Sequence, residues 1–127
     1  MVAVRRKIQR ARSSIRGNRL VLVDDSIVRG TTTRVIVKTL YDAGAAAVHV
    51  RIGYPPKRHG CLYGEDTSDE HYLVSAHMSN EEICRYIRAD SLAFISQRTY
   101  LRTLGGDPSS WCMACTDGRY WHEQQAA

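Results

Sequence analysis

No stretch of this 127-residue chain approaches the ~20 consecutive apolar residues that a membrane-spanning helix needs. A secretory leader is not expected either, because neither an apolar block nor a small-residue cleavage site follows the basic N-terminus. There is no internal repeat and no low-complexity segment. Four cysteines without a secretory signal do not suggest a disulfide framework, so reduced thiols in a cytoplasmic compartment are the expectation. A Walker loop is excluded, since no Gly-Lys-Ser/Thr arrangement occurs. None of the five histidines has a Ser or Cys partner at a recognisable nucleophile spacing. His49 lies within a strand pattern and is expected to pack rather than react.

What remains is a composition suited to one globular domain, or part of one. Hydrophobic residues make up 43% and charged residues 24%. The net charge of +5 is concentrated, with seven of the 18 Lys and Arg between Arg5 and Arg19. Such a stretch can meet nucleic acid, a membrane surface or a polyanionic small molecule, although a solvated helix face is the plainer reading.

The hydrophobic pattern orders the first half of the chain as strand, loop, helix, strand. Val4, Ile8, Ala11 and Ile15 recur at helical spacing, and Gly17 stands where that helix would stop. Leu20–Val23 is a short apolar run, expected as a buried strand of a parallel sheet. A polar loop follows, then helical character over Val35–Tyr41, ended by Gly44. Ala47–Ile52 has the β-branched content of a second strand. Thr67 with Glu70, and Ser79 with Glu82, have capping-box spacing, and each predicts a short helix, the second reaching about Ile87. Leu92–Ser96 reads as a third strand. The fold class expected is therefore α/β with a parallel sheet, whose ligands bind at the carboxyl ends of strands.

The loop after Val23 sits at such an end. Asp24 and Asp25 can accept hydrogen bonds from vicinal hydroxyls and place negative charge beside a hard cation such as Mg2+. Gly30 permits a tight turn with close backbone approach. Ser26, Thr31, Thr32 and Thr33 carry hydroxyls, and the loop runs into a helix N-terminus, where free amides and the dipole favour a phosphate. Acids suited to a ribose beside a phosphate cradle describe a pentose-phosphate site. Taken as two aspartates alone, the same residues could be a locally capped turn.

Cys112 and Cys115 form a C-x-x-C pair that is ambiguous among metal, redox and chance. The strand-to-helix context of a thioredoxin-like motif is missing. A zinc site needs four ligands, and Cys61 with His59, His122 or Cys84 could complete one on paper. Cys84 lies in the capped segment EEICRYI and reads as a packed helix residue.

VLVDDSIVRGTT resembles the phosphoribosyl pyrophosphate (PRPP) motif of type I phosphoribosyltransferases, in the form found in the glutamine PRPP amidotransferase family. The resemblance continues through VRRK, DAGAAAVHVRI, YPP, GCLYGEDTS, HMSNEEI, ADSLAFIS and WCMAC, from about Val4 to about Tyr120. It implies that residues 1–18 are the end of a flexible active-site loop with its basic helix. Residues 19–104 would be a partial phosphoribosyltransferase core that lacks its N-terminal strands, and 105–127 a cysteine-containing segment and tail. By the same resemblance, Asp24 and Asp25 hold the ribose hydroxyls and Mg2+. Ser26, Ile27, Val28, Arg29, Gly30, Thr31 and Thr32 wrap the 5′-phosphate of PRPP. Some members carry a four-iron, four-sulfur cluster, and Cys61, Cys112 and Cys115 fall where three of its thiolates would be, the fourth lying outside this chain.

The implied activity is amidophosphoribosyl transfer in de novo purine biosynthesis, which would make this an enzyme segment with no catalytic side chain of its own assigned. The partners implied are PRPP, a glutaminase domain on the rest of the chain, and further copies in a homo-oligomer, with neither membrane nor nucleic acid. The rivals are a non-catalytic PRPP-binding regulator, a metal-binding remnant and an inactive truncated relic. The chain departs from the family where Arg88 replaces a usual Gly, where Gln97-Arg98-Thr99 replaces Glu-Gly-Leu, and where Gly60 and Trp121 replace Pro. A sheet without its first strands would expose an edge and apolar faces, and marginal stability follows.

Overall fold

The computed structural model describes residues 11–65, 67 and 69–121. The sequence positions Val4 and Ile8, the basic residues before Ala11, and His122 lie outside them. A short helix, α1 (Arg12–Ile15), leads through Gly17 into β1 (Arg19–Asp24). Then follow α2 (Thr31–Asp42), β2 (Ala47–Ile52), a 3-10 turn (Glu70–Tyr72), α3 (Val74–His77), α4 (Asn80–Ile87) and β3 (Ser91–Phe94). The chain continues with α5 (Gln97–Leu104), a second 3-10 turn (Pro108–Ser110) and α6 (Ala114–Asp117).

Among the described residues the three strands form one parallel sheet in the order β1-β2-β3. Leu22 stands opposite Val50, which stands opposite Leu92, and Asp24 opposite Ile52. Parallel neighbours need a long crossover, and α2 supplies the first and α4 part of the second. Both helices pack on the same face. Val37 and Leu40 of α2, with Ile83 and Ile87 of α4, close over Val48, Val50 and Ile52 of the central strand. Each such side chain, fully buried, contributes roughly 1.5–3 kcal/mol. The helices thus fix where the carboxyl end of β1 lies.

The opposite face is open. Val21 and Val23 remain 63% and 72% exposed, so β1 is a half-exposed edge strand and not the fully buried one that four consecutive apolar residues suggest. Only its Leu20 and Leu22 face the core. Beside them on the open face lies a polar row in which His49 meets Arg19 at 3.3 Å and Ser91 at 2.9 Å. His49 is thus a hydrogen-bonded sheet residue.

Local signals decide most element ends. Ser79 accepts from the Glu82 amide at 3.2 Å and Glu82 returns to the Ser79 amide at 2.8 Å, which completes the expected capping box of α4. The other expected box does not form: Asp69, not Thr67, accepts from the His71 amide at the 3-10 turn. Residue 96 turns out to be a helix cap rather than a strand end, since Ser96 accepts from the Thr99 amide at 3.1 Å and opens α5, a helix the hydrophobic pattern does not announce. Asp90 links β2 to β3. It accepts from the Val48 amide at 2.6 Å and from the Tyr41 hydroxyl at 2.5 Å, and that hydroxyl, with the amide, lowers its carboxyl below the usual range.

Arg88 ends α4 with φ of 62°, the left-handed region, where a Cβ meets the carbonyl oxygen. This is the position at which the family resemblance leads one to expect glycine. Arg88→Gly should therefore stabilise the chain by about 0.5–1 kcal/mol, net of the extra backbone entropy that glycine loses on folding. Urea unfolding of the two proteins checks this, with a higher midpoint and unchanged slope expected for the variant.

Candidate phosphoribosyl site

β1 delivers its last residue, Asp24, to the carboxyl edge of the sheet, and the chain turns at once. The Asp25 amide donates to Asp24 Oδ1 at 3.1 Å, and the Ser26 amide donates to Asp25 Oδ1 at 2.8 Å. Gly53, at the end of the neighbouring strand, donates its amide to the Asp24 carbonyl at 2.9 Å. These contacts set two adjacent carboxylates at one corner. Partial burial raises the Asp24 carboxyl above its ordinary value; the Asp25 amide opposes this and the Asp25 charge adds to it. A cation at the pair would relieve that cost.

From Ser26 the loop dips into the protein. Ile27 is buried in the core cluster, and the Val28 carbonyl accepts from the Val74 amide at 2.8 Å. Arg29 lies over the Tyr72 ring, 4.5 Å from its centroid. The loop is thereby tied to the segment before α4 at two consecutive residues. Gly30 then takes φ of 71° as the N-cap of α2, and no side chain caps the helix. The helix begins at Thr31, four residues earlier than the apolar periodicity indicates. Periodicity starts only where side chains meet the core, whereas the first turn needs only the left-handed entry at Gly30. Thr31 and Thr32 are exposed at this end, and Thr33 is buried.

A cleft of about 770 Å3 opens beside the aspartates, lined by Val23, Asp24, Asp25 and Ser26 and, across from them, by Tyr54, Lys57, Glu65 and Tyr100. The last four are not marked by the motif. Only the Pro55-Pro56 break points to their loop, and nothing in the sequence places Lys57 or Tyr100 beside Asp24. Tyr54 and Tyr100 stack edge to face with centroids 4.9 Å apart. Burial, aided by a hydrogen bond with Cys115 Sγ at 3.3 Å, raises the Tyr54 phenol.

The cysteine segment closes this wall from behind. The Arg58 and His59 amides donate to the Cys115 carbonyl at 2.8 and 3.0 Å, and the Tyr120 hydroxyl donates to the Gly60 carbonyl at 2.6 Å. None of the four cysteines is joined in a disulfide, and Cys112 is exposed. Among the described residues no three His, Cys, Asp or Glu side chains gather as a metal-binding group, so Cys61, Cys112 and Cys115 are not brought together as cluster ligands. The aspartate pair by itself is a different case. Mg2+ is commonly held by one or two carboxylates plus substrate phosphates, so two carboxylates fit an ion that arrives with its ligand.

A parallel α/β sheet whose carboxyl edge carries an acidic pair, a loop turned by Gly30 and a helix N-terminus without a side-chain cap has the architecture of a phosphoribosyltransferase domain. The sequence narrows this further. The chain is 46% identical over 117 residues to the amidophosphoribosyltransferase of Synechocystis, 49% identical to the chloroplastic amidophosphoribosyltransferase 2 of Arabidopsis thaliana, and 47% identical over 121 residues to the Bacillus subtilis enzyme. Each match covers 92% of this chain and from 21% to 25% of the relative. Its structure superposes on the glutamine PRPP amidotransferase of B. subtilis complexed with ADP and GMP, with a TM-score of 0.81 and 46% identity over 87% of this chain and 25% of that one. No family model matches. By sequence and by fold the chain is homologous to a segment of the amidophosphoribosyltransferases, and it spans about a quarter of the length of the relatives it matches.

The turn at Gly30 is the most constrained point of the site. A Cβ there would stand 3.0 Å from Tyr86 Cε1, in addition to the left-handed strain. Gly30→Ala should cost about 1–2 kcal/mol of stability. Thermal unfolding checks this, with a lower midpoint expected for the variant.

Proposed function

We propose that this chain forms the ribose and 5′-phosphate half of a Mg-PRPP site belonging to an amidophosphoribosyltransferase. The single observation that carries the reading is the juxtaposition at one strand end of Asp24 and Asp25 with the Gly30 turn and the open N-terminus of α2. In this reading the amides of the 26–32 loop and the Thr31 and Thr32 hydroxyls donate to the 5′-phosphate. The helix dipole adds to the attraction. Asp24 and Asp25 accept from the ribose 2′- and 3′-hydroxyls and face the Mg2+ that accompanies the diphosphate.

The chemistry proposed for the complete enzyme is substitution at the anomeric carbon. The bond from C1 to the diphosphate oxygen breaks, a bond from C1 to an ammonia nitrogen forms, and a proton leaves that nitrogen to give 5-phosphoribosylamine. Such a reaction asks the protein for position and charge stabilisation more than for covalent participation. That agrees with a site whose polar groups are hydrogen-bond donors, carboxylates and a helix end. Ammonia would come from a glutaminase domain on the remainder of the chain. Purine biosynthesis, a homo-oligomeric enzyme and a cytoplasmic setting belong to the same proposal. A cluster-ligand role for Cys61, Cys112 and Cys115 rests on the family resemblance alone, and no step is assigned to it.

Calorimetric titration with PRPP in the presence of Mg2+ tests the site. The chain should bind, and Asp24→Asn and Asp25→Asn should each weaken binding by about tenfold or more, the usual worth of hydrogen bonds to a charged group. Equal affinity for the wild type and both variants would place the ligand elsewhere.

A further inference from the structure

The wall of the cleft opposite the aspartate pair holds a buried cation. Lys57 lines the same cleft as Asp24, Asp25 and Ser26, yet only 6% of it is exposed. Removing an ammonium from water is costly unless it is paired. Its partner is Glu65, which is close to half exposed and lies on the solvent side of the pair. The Tyr54 ring, 5.4 Å from the ammonium, presents a second, weaker attraction. The position is rigidly supported. Pro55 and Pro56 precede it, and the amides of Arg58 and His59 are anchored on the Cys115 carbonyl.

Two features separate this lysine from a purely structural ion pair. The first is the asymmetry: both side chains line the cleft, but that of the cation is 8% exposed and that of its anion 46%. The second is placement. Lys57 shares the cleft with Asp24, Asp25 and Ser26, whereas Arg29 to Thr32 do not line it. A pentose phosphate held by the aspartates that also carries a diphosphate has a second anionic group for this cleft to meet. We infer that Lys57 is a further ligand-binding residue, which donates to diphosphate oxygens of the ligand, and that Glu65 is the resting counter-ion which the ligand displaces. The inference rests on the pentose-phosphate reading of the Asp24–Thr32 loop and extends it to the opposite wall.

If Glu65 competes with the ligand for one ammonium, the two members of the pair have opposite effects. Titration calorimetry of the wild type, Lys57→Met and Glu65→Gln with Mg-PRPP, and with ribose 5-phosphate as a ligand lacking the diphosphate, separates the cases. Lys57→Met should weaken PRPP by about tenfold, as loss of a charge-assisted hydrogen bond does, and leave ribose 5-phosphate unchanged. Glu65→Gln should tighten PRPP several-fold, a gain that a misfolded variant cannot imitate, and likewise leave ribose 5-phosphate unchanged. If both substitutions weaken both ligands alike, or neither alters PRPP, Lys57 is only half of a structural ion pair and the inference is wrong. A wild type that binds neither ligand removes the pentose-phosphate reading, and the inference with it.

Discussion

The left-handed turn at Gly30 is where the parts of the site become one object. Upstream of it, β1 is held in parallel register against β2 and ends at Asp24. Downstream, α2 begins at Thr31 and is clamped by Val37 and Leu40 onto the core. The four residues between Asp25 and Gly30 must reverse from strand to helix within this short span, and glycine is the residue that adopts φ of 71° without strain. Tyr86 of α4 fills the space beside Gly30, so the turn is also packed against the second crossover helix. The acids, the loop amides and the helix end keep their mutual geometry because this reversal admits few alternatives.

The same physics explains what could be foreseen. β2 was legible to the residue, since AVHVRI carries β-branched side chains bounded by alanines and a glycine. The Ser79–Glu82 box was legible because its two hydrogen bonds are local. β1 was legible in position but not in burial: whether Val21 and Val23 are covered depends on chain segments a strand pattern cannot report. The start of α2 was missed because three threonines carry no apolar period. α5 was missed because QRTYLRTL buries no residue, so its helix rests on the Ser96 cap and not on a core face. The aspartate pair and its loop were legible as a motif, whereas Tyr54, Lys57, Glu65 and Tyr100 meet Asp24 only through tertiary folding.

The exposed face of the sheet and the cleft at its carboxyl edge meet at Val23, which belongs to both. Relatives that share this quarter of their length carry a longer chain. Val21 and Val23 are exposed apolar side chains, and the cleft beside Asp24 and Asp25 opens to solvent. The cysteine segment, by contrast, is integrated. Its Cys115 carbonyl and Tyr120 hydroxyl fasten the 58–60 loop, which makes it a buttress of the cleft wall whatever else its thiols do.

The central claim is that residues 24–32 constitute a preorganised pentose-phosphate site. Backbone amide NMR with ribose 5-phosphate tests it most directly. The account predicts saturable shifts concentrated at Asp25 to Thr32, with small changes in the Trp111–Arg119 segment. Shifts centred on that C-terminal segment, or none at millimolar ligand in a folded sample, would contradict it.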